Sequence, residues 1–275
     1  MSARGDTIED PFVITRGSPY NNIEAIDRTV VNPRNQVMHG ASRTYLAVCF
    51  ATFISACGGG TAAPMQPPPA NFDLQAGMAK MVANGLSSNV ALSGTVTVNG
   101  VSTAFTGSGT FTRPPAISAT FNGTAALSQT TTVAGSITAA GQTKSYSTSV
   151  TDYYASSDSA FLGEVSASEY DVAQAPILFP TTVVGGSSGT LGTLSRYTDS
   201  TMSVSLGTAQ VSYFVMAPVD PGSPIGIEVT TKIFDTQNTL IETDVTDYTM
   251  TTSNVVSLSG ATAQNQSGTL KVTAQ

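Results

Sequence analysis

From about residue 86 onward, apolar and polar residues alternate along the chain, which is the period of a strand with one buried face. The clearest case surrounds Asn99-Gly100, a dipeptide that favours the two-residue turn of a hairpin. The same alternation recurs in several segments: Val90–Val98, Val101–Phe111, Met202–Leu206, Val211–Val215 and Ile225–Ile233. Since no second helical stretch is present to connect parallel strands, the pattern predicts an all-β, antiparallel sandwich or barrel.

One short segment before the strands has a helical period instead. Between Asp73 and Asn84, four apolar residues recur at the spacing of one helix face: Leu74, Met78, Met81 and Val82. Asp73 or Asn71 can cap the first turn, and Gly85 suits the end of the helix. We therefore expect one short N-terminal helix with its methionines in the core.

A second apolar segment, 13 residues from Thr44 to Ala56, is too short to span a bilayer as a helix. It has the length of the apolar core of a signal peptide. It ends in Ile54-Ser55-Ala56-Cys57, in which small residues precede a cysteine, and Gly58–Gly60 follow. Small side chains beside the scissile bond suit a membrane peptidase, and a thiol is a ready acceptor for a lipid. These four residues resemble the lipobox of bacterial lipoproteins.

The resemblance implies that cleavage between Ala56 and Cys57 leaves Cys57 as the first residue, with a diacylglyceryl group on its sulfur. Several acyl chains would make the anchor effectively permanent. Gly58 stands where an aspartate would favour the inner membrane, so the resemblance implies a protein of the cell envelope, lipid-anchored in the outer membrane. Its implied partners are the membrane and the lipoprotein-processing machinery. The alternative is that residues 46–56 form a buried element and Cys57 is an inert core thiol.

These features divide the chain into four parts. Residues 38–56 are the predicted signal peptide, in which Met38 begins a short basic segment. Residues 57–70 contain the lipidated cysteine and a Gly- and Pro-rich tether, and residues 71–275 form the β-rich domain. We interpret residues 1–37 as an upstream extension from a mis-assigned start codon, with a genuine cytoplasmic extension as the alternative.

Two segments of the β-rich domain are similar to each other. Gln142–Tyr153 and Gln237–Tyr248 share six of twelve residues at an offset of 95, including Val-Thr-Asp-Tyr. The match leaves open whether the domain consists of two similar halves, residues 86–184 and 190–275. The glycine-rich segment Gly185–Gly189 would then join them.

Charge and rare residues exclude several classes of function. With 18 acidic and 11 basic residues the net charge is −7, so the chain lacks the cation excess on which nucleic-acid binding depends. The single histidine, His39, lies in the predicted signal peptide, and Cys49 and Cys57 are the only cysteines. The mature chain would therefore lack the usual general base, the commonest zinc ligand and a free thiol. We expect no nucleic-acid partner, no cofactor, no metal and no enzymatic activity.

Carboxylates are the chemistry that remains. Glu169 and Asp171 are two residues apart, as are Glu242 and Asp244, so each pair shares one face of a strand. A glycosidase or a calcium site uses such pairs, although carboxylates on strands more often only keep a protein soluble. Gly185–Gly189 matches the G-x-S-x-G pattern of a hydrolase, but no histidine or following helix supports that interpretation, and we expect a loop.

The cysteine with its glycines, the Pro-rich tether and Asp152-Tyr153-Tyr154 also resemble uncharacterised Gram-negative lipoproteins with Ser/Thr-rich β domains. This resemblance implies no defined activity. The sequence thus favours a non-enzymatic, membrane-anchored envelope lipoprotein, a structural or binding β module whose protein or glycan partner it does not specify.

Two alternatives stay open. One is a carboxylate-dependent glycan hydrolase that uses the acidic pairs, with Tyr153, Tyr154 and Tyr170 as one aromatic patch. The other is a periplasmic carrier that holds a lipid or another hydrophobic ligand inside a barrel. Its wall would contain four phenylalanines: Phe105, Phe111, Phe161 and Phe214.

Overall fold

The computed structural model describes residues 71–98, 100–220 and 222–275. The predicted extension, the signal peptide and its lipobox, and the tether with Cys57 lie outside these residues. In the described part, the one helix is 11 residues long, and no helix has the length and apolar character needed to cross a membrane.

The described residues form one helix and 13 strands. In chain order these elements are α1 Leu74–Asn84, β1 Leu86–Val98, β2 Val101–Arg113, β3 Ile117–Phe121, β4 Thr124–Ala139, β5 Gln142–Ala155, β6 Phe161–Val165, β7 Tyr170–Ile177, β8 Ser188–Tyr197, β9 Ser205–Met216, β10 Ile225–Phe234, β11 Leu240–Met250, β12 Val256–Asn265 and β13 Gly268–Ala274.

All of the strands belong to one antiparallel sheet that closes into a barrel of 12 strands. From β4 to β13 each strand pairs with the next, and β13 pairs with β1. The ring closes because β2 pairs both with β1 and with residues 132–139 of β4. β3 stays outside the ring, paired with residues 124–128 of β4. The prediction of an all-β, antiparallel fold with one short helix is confirmed, and of the two architectures it is the barrel.

The local structure follows the sequence pattern closely. β1 and β2 stay in register up to Val98 and Val101, as the predicted two-residue connection requires. In β5 every second residue from Tyr146 to Tyr154 is buried, so the alternation sets which face is inside. The similar Val-Thr-Asp-Tyr segments lie in β5 and β11, but Asp152 is buried in the interior whereas Asp247 is on the outer face beside Glu228. Whether the domain consists of two halves stays a prediction.

Helix α1 packs at the end of the barrel where β2, β7 and β11 finish. Its first turn is capped by Asp73, whose side chain accepts a hydrogen bond from the Ala76 amide at 2.9 Å. At Gly85, with φ of 74°, the backbone turns into β1. Gly77 allows close packing, because a β-carbon there would lie 2.4 Å from Sδ of Met250. The helix therefore closes this end of the interior, and its methionines are in the core as predicted.

Candidate functional site

Five consecutive strands place a polar side chain at paired positions on the interior face. The register pairs Gln129 of β4 with Asp152, Asp152 with Glu164, Glu164 with Asp171, and Asp171 with Arg196 of β8. Directly opposite residues have β-carbons about 5 Å apart, so these side chains form a continuous line that we call the transverse row. Two of its four contacts place acidic residues opposite each other, which is unfavourable when both are ionised.

At the helix end of the transverse row, the charges are matched. Nη2 of Arg113 donates to Asp152 Oδ2 at 2.5 Å and also to the hydroxyl of Tyr154. Nε of Arg113 donates to Gln129 Oε1 at 2.7 Å. Burial raises the pKa of Asp152, while Arg113 and the Tyr154 hydroxyl act in the opposite direction. The added hydrogen bonds offset the cost of burying this ion pair, and removal of either partner would leave an uncompensated buried charge.

Gln129 connects this end of the row to the helix. Only 1% of its surface is exposed, and its amide nitrogen donates to the carbonyls of Val82 at 3.1 Å and Pro114 at 2.9 Å. A longer contact of 3.3 Å reaches the carbonyl of Met81. These carbonyls belong to the last turn of α1 and the loop after β2, so one side chain fastens the helix to the barrel wall.

At the other end of the row, one guanidinium faces several acids. Nη2 of Arg196 lies 2.5 Å from Glu169 Oε1, and its Nε lies 3.5 Å from Asp171 Oδ2. Glu242 adds a further negative charge close enough to act on Arg196. Arg196, Asp171 and Glu242 are all buried, so these charges interact with little screening by water.

Glu164 and Asp171 form the least balanced part of the row. Burial raises the pKa of Glu164 well above its usual value, and the nearby charges of Asp171, Asp152, Glu169 and Asp244 raise it further. Burial and then Glu169 raise the pKa of Asp171 to about 7, against the lowering effect of Arg196. Near neutral pH these two carboxyls therefore hold protons that ordinary carboxyls have lost.

The structure brings the four acidic residues predicted from sequence into the same interior. Glu169 and Asp171 both reach Arg196. Glu242 is buried, and Asp244 lines the same interior from β11, so neither pair lies on a solvent-facing strand surface. Among the described residues, no group of three or more His, Cys, Asp or Glu is placed so that it could hold a metal ion.

Sequence reasoning missed the other members of the site. Glu164, Arg196, Arg113 and Gln129 were not singled out, and Asp152 was noted only as part of an Asp-Tyr-Tyr segment. Asp152 alternates in phase with buried residues of β5, and that phase is a signal that could have found it. The partners of the row come from separate hairpins, which no local pattern connects.

The three tyrosines considered for one aromatic patch lie on two different faces of the barrel. Tyr153 and Tyr170 stack on Phe121 with ring centroids 4.5 and 5.3 Å away, on the outer face of the barrel. Tyr154 faces the interior instead and contacts Phe161 edge-on. The three tyrosines therefore do not form one patch.

Of the four predicted wall phenylalanines, two line the interior cavity, Phe111 and Phe161. Phe105 is packed in the main core, and Phe214 is 41% exposed on the outer face.

The barrel interior contains a cavity of about 210 Å³ between the helix and the acidic end of the row. Most of its wall is apolar, including Met81, Phe111, Phe161, Leu194, Val211 and Ile233. Polar residues of the transverse row form the rest of the wall. A cavity of about 150 Å³ can hold benzene, so this one has room for a compact organic molecule of roughly eight to ten non-hydrogen atoms.

Comparison of the chain with models of known protein families, with curated proteins and with solved structures found no match.

Proposed function

We propose that the protein is a binding module that holds a compact, mainly apolar organic molecule inside its barrel. The observation that carries this proposal is the cavity, which lies in the barrel interior and is lined mainly by apolar side chains. An apolar wall with a few polar groups at one side is the usual composition of a small-molecule site. The apolar wall supplies affinity, and the polar groups fix the orientation of the guest.

The geometry favours this function over glycan hydrolysis. A glycosidic bond has a sugar ring on each side, and two rings need more room than a cavity of about 210 Å³ offers. Glu169 Oε1 and Asp171 Oδ2 both lie against the guanidinium of Arg196, so these two oxygens face a cation rather than a substrate. The acidic pairs therefore fit an orienting role better than a catalytic one.

The lipobox supports a location for this module. Lipidation at Cys57 would anchor the protein in the outer membrane, with residues 57–70 as the tether of the barrel. Mass spectrometry of the protein isolated from cells tests the anchor. We expect a triacylated peptide that begins at Cys57, and no such peptide from Cys57→Ser; an unmodified chain that continues upstream of Cys57 would refute the location.

Binding of toluene to the full chain tests the cavity. Toluene should bind saturably, and Ala209→Leu should weaken binding at least tenfold, because Ala209 is buried and lines the cavity, so that a larger side chain there takes up volume that the guest needs. Gln210→Leu is the matched control, since it makes a similar change on the outer face of the same strand. If Ala209→Leu does not fold, Val229→Leu adds a single methylene to the same wall.

Isothermal titration calorimetry and the melting temperature give independent readouts. Failure of the parent protein to bind toluene or any similar apolar probe saturably would refute the proposal. Equal affinity of the parent and the cavity-filling variant would do the same, because binding would then lie elsewhere.

A further inference from the structure

Acidic residues in the cavity wall outnumber basic residues. Five acidic residues line it: Asp152, Glu164, Glu169, Asp171 and Asp244. Arg113 is the basic residue of that wall, and Arg196 adds a second cation beside it. All four described lysines are exposed and contribute nothing to the interior: Lys80, Lys144, Lys232 and Lys271.

The excess is concentrated at Glu164 and Asp171. Asp152 is bound by Arg113, and Glu169 by Arg196, whose Nε also lies 3.5 Å from Asp171. Glu164 and Asp171 remain directly opposite each other on β6 and β7. The excess of acidic residues therefore lies at the acidic end of the transverse row, on the side that faces the cavity.

Asp171 also has an oxygen that lacks a donor. The residue is 3% exposed and lines the cavity, and its Oδ2 faces Arg196. Its Oδ1 is buried and accepts no hydrogen bond from the part of the chain that the structure describes. A buried acceptor without a donor is unfavourable, and a donor on a bound guest would satisfy it.

We propose that the guest carries a protonated amine, which donates to Asp171 and Glu164 while its apolar body lies against Leu194, Val211 and Ile233. This inference rests on the proposed function, because it names the class of molecule that the cavity takes. An anionic guest would add to the negative excess in the wall. A metal ion is disfavoured because the described residues contain no group of three ligands placed to bind one.

The titration of the two carboxyls supports the same class of guest. Burial raises the pKa of both, and so do the facing acids, which are Glu169 on the segment before β7 for both carboxyls, and Asp152 on β5 and Asp244 on β11 for Glu164. Arg196 on β8 acts against this by lowering the pKa of Asp171. An ammonium group would replace the protons that the two carboxyls hold without it. Binding should therefore release protons near neutral pH and tighten as the pH rises from 6 to 8, while the amine stays charged.

Three probes with the same ring separate charge from shape: benzylamine, benzyl alcohol and toluene. At pH 8 and low salt we expect the parent protein to bind benzylamine at least tenfold more tightly than toluene, with benzyl alcohol between them. Asp171→Asn and Glu164→Gln should each lower the affinity for benzylamine much more than the affinity for toluene, and so remove most of that preference. Asp247→Asn should keep it, because Asp247 is on the outer face of the barrel.

Calorimetry in buffers of different ionisation enthalpy should show proton release with benzylamine and none with toluene. If toluene and benzylamine bind with equal affinity, the amine proposal fails while the proposed function stands. If neither binds, the proposed function fails and the amine proposal fails with it. A benzylamine preference that survives in both carboxyl variants would also overturn the inference, since the ammonium would then lie elsewhere.

Discussion

The barrel should lose stability as the pH rises from 5 to 8, because Asp171 holds its proton more tightly in the folded protein than in the unfolded chain. Its pKa is about 7 in the fold, and an unfolded aspartate has a pKa near 3.9. Between these values the folded state binds more protons, so the free energy of unfolding falls as the pH rises. The contribution is fully present below about pH 4 and is lost above about pH 7.

The size of the loss follows from this difference in pKa. One proton corresponds to about 1.4 kcal/mol per pH unit, so Asp171 alone accounts for about 2.5 kcal/mol between pH 5 and pH 8. For a domain of this size that is roughly 5 to 10 °C in melting temperature. Glu164 acts in the same direction, because burial and its acidic neighbours raise its pKa as well. The two carboxyls titrate as a coupled pair, so the figure applies to the first proton that the pair releases.

Denaturant unfolding followed by circular dichroism at pH 5, 6, 7 and 8 measures this dependence. In Asp171→Asn the side chain no longer titrates. We therefore expect the free energy of unfolding to fall between pH 5 and pH 8 by about 2.5 kcal/mol less than in the parent protein, which corresponds to one proton fewer released. Asp220→Asn is the control, because it removes the same charge from an exposed loop and should leave the slope unchanged. Stability that is constant or rises over this range in the parent protein would refute the reasoning, as would equal slopes in the parent and Asp171→Asn.

Two further predictions concern the attachment of α1. Gln129→Leu should lower the free energy of unfolding by about 1 to 3 kcal/mol, because Nε of Arg113 loses its bond to Gln129 and the Pro114 carbonyl loses its donor, whereas the Val82 carbonyl keeps the Ala116 amide. Amide hydrogen exchange should then rise first in α1, and unchanged exchange there would contradict the role given to this side chain. Asp73→Ala should lower stability by about 1 kcal/mol in denaturant unfolding, because the Ala76 amide loses its cap. A wild-type midpoint for that variant would show that the cap contributes nothing.

The strands of the barrel were predictable, whereas its closure was not. Alternation such as that in β5 directly reports one buried face, so the element type follows from the local sequence. Closure depends on β2 pairing with residues 132–139 of β4 and not with β3, the next strand in the chain. β3 is a five-residue strand with the same polar composition as its neighbours, and nothing local distinguishes it from a member of the ring. A sandwich and a barrel therefore have the same sequence pattern here.

Some acidic residues of the site could be predicted from the sequence, but the contacts between them could not. Spacing by two placed Glu242 and Asp244 on one face, but few apolar residues of β11 accompany them, so the pattern did not say which face is buried. The sequence did not predict that Arg196 contacts Glu169 and Asp171, because that contact depends on the register between β7 and β8. The geometry of the site resides in pairings between strands, which a single sequence does not encode locally.

The position of the unbalanced charge favours the proposed binding module over a purely structural barrel. Replacing a buried ionic group by a well-packed apolar residue is often neutral or stabilising, so stability alone gives no reason to keep acids facing each other inside a barrel. Arg113 and Asp152 are balanced and fasten the helix through Gln129, which is a structural role. Glu164 and Asp171 face each other in the cavity wall, and the excess of acidic over basic residues lies there. The facing carboxyls and the cavity lie in the same place. A cationic guest would offset the repulsion between the carboxyls and would fill the cavity.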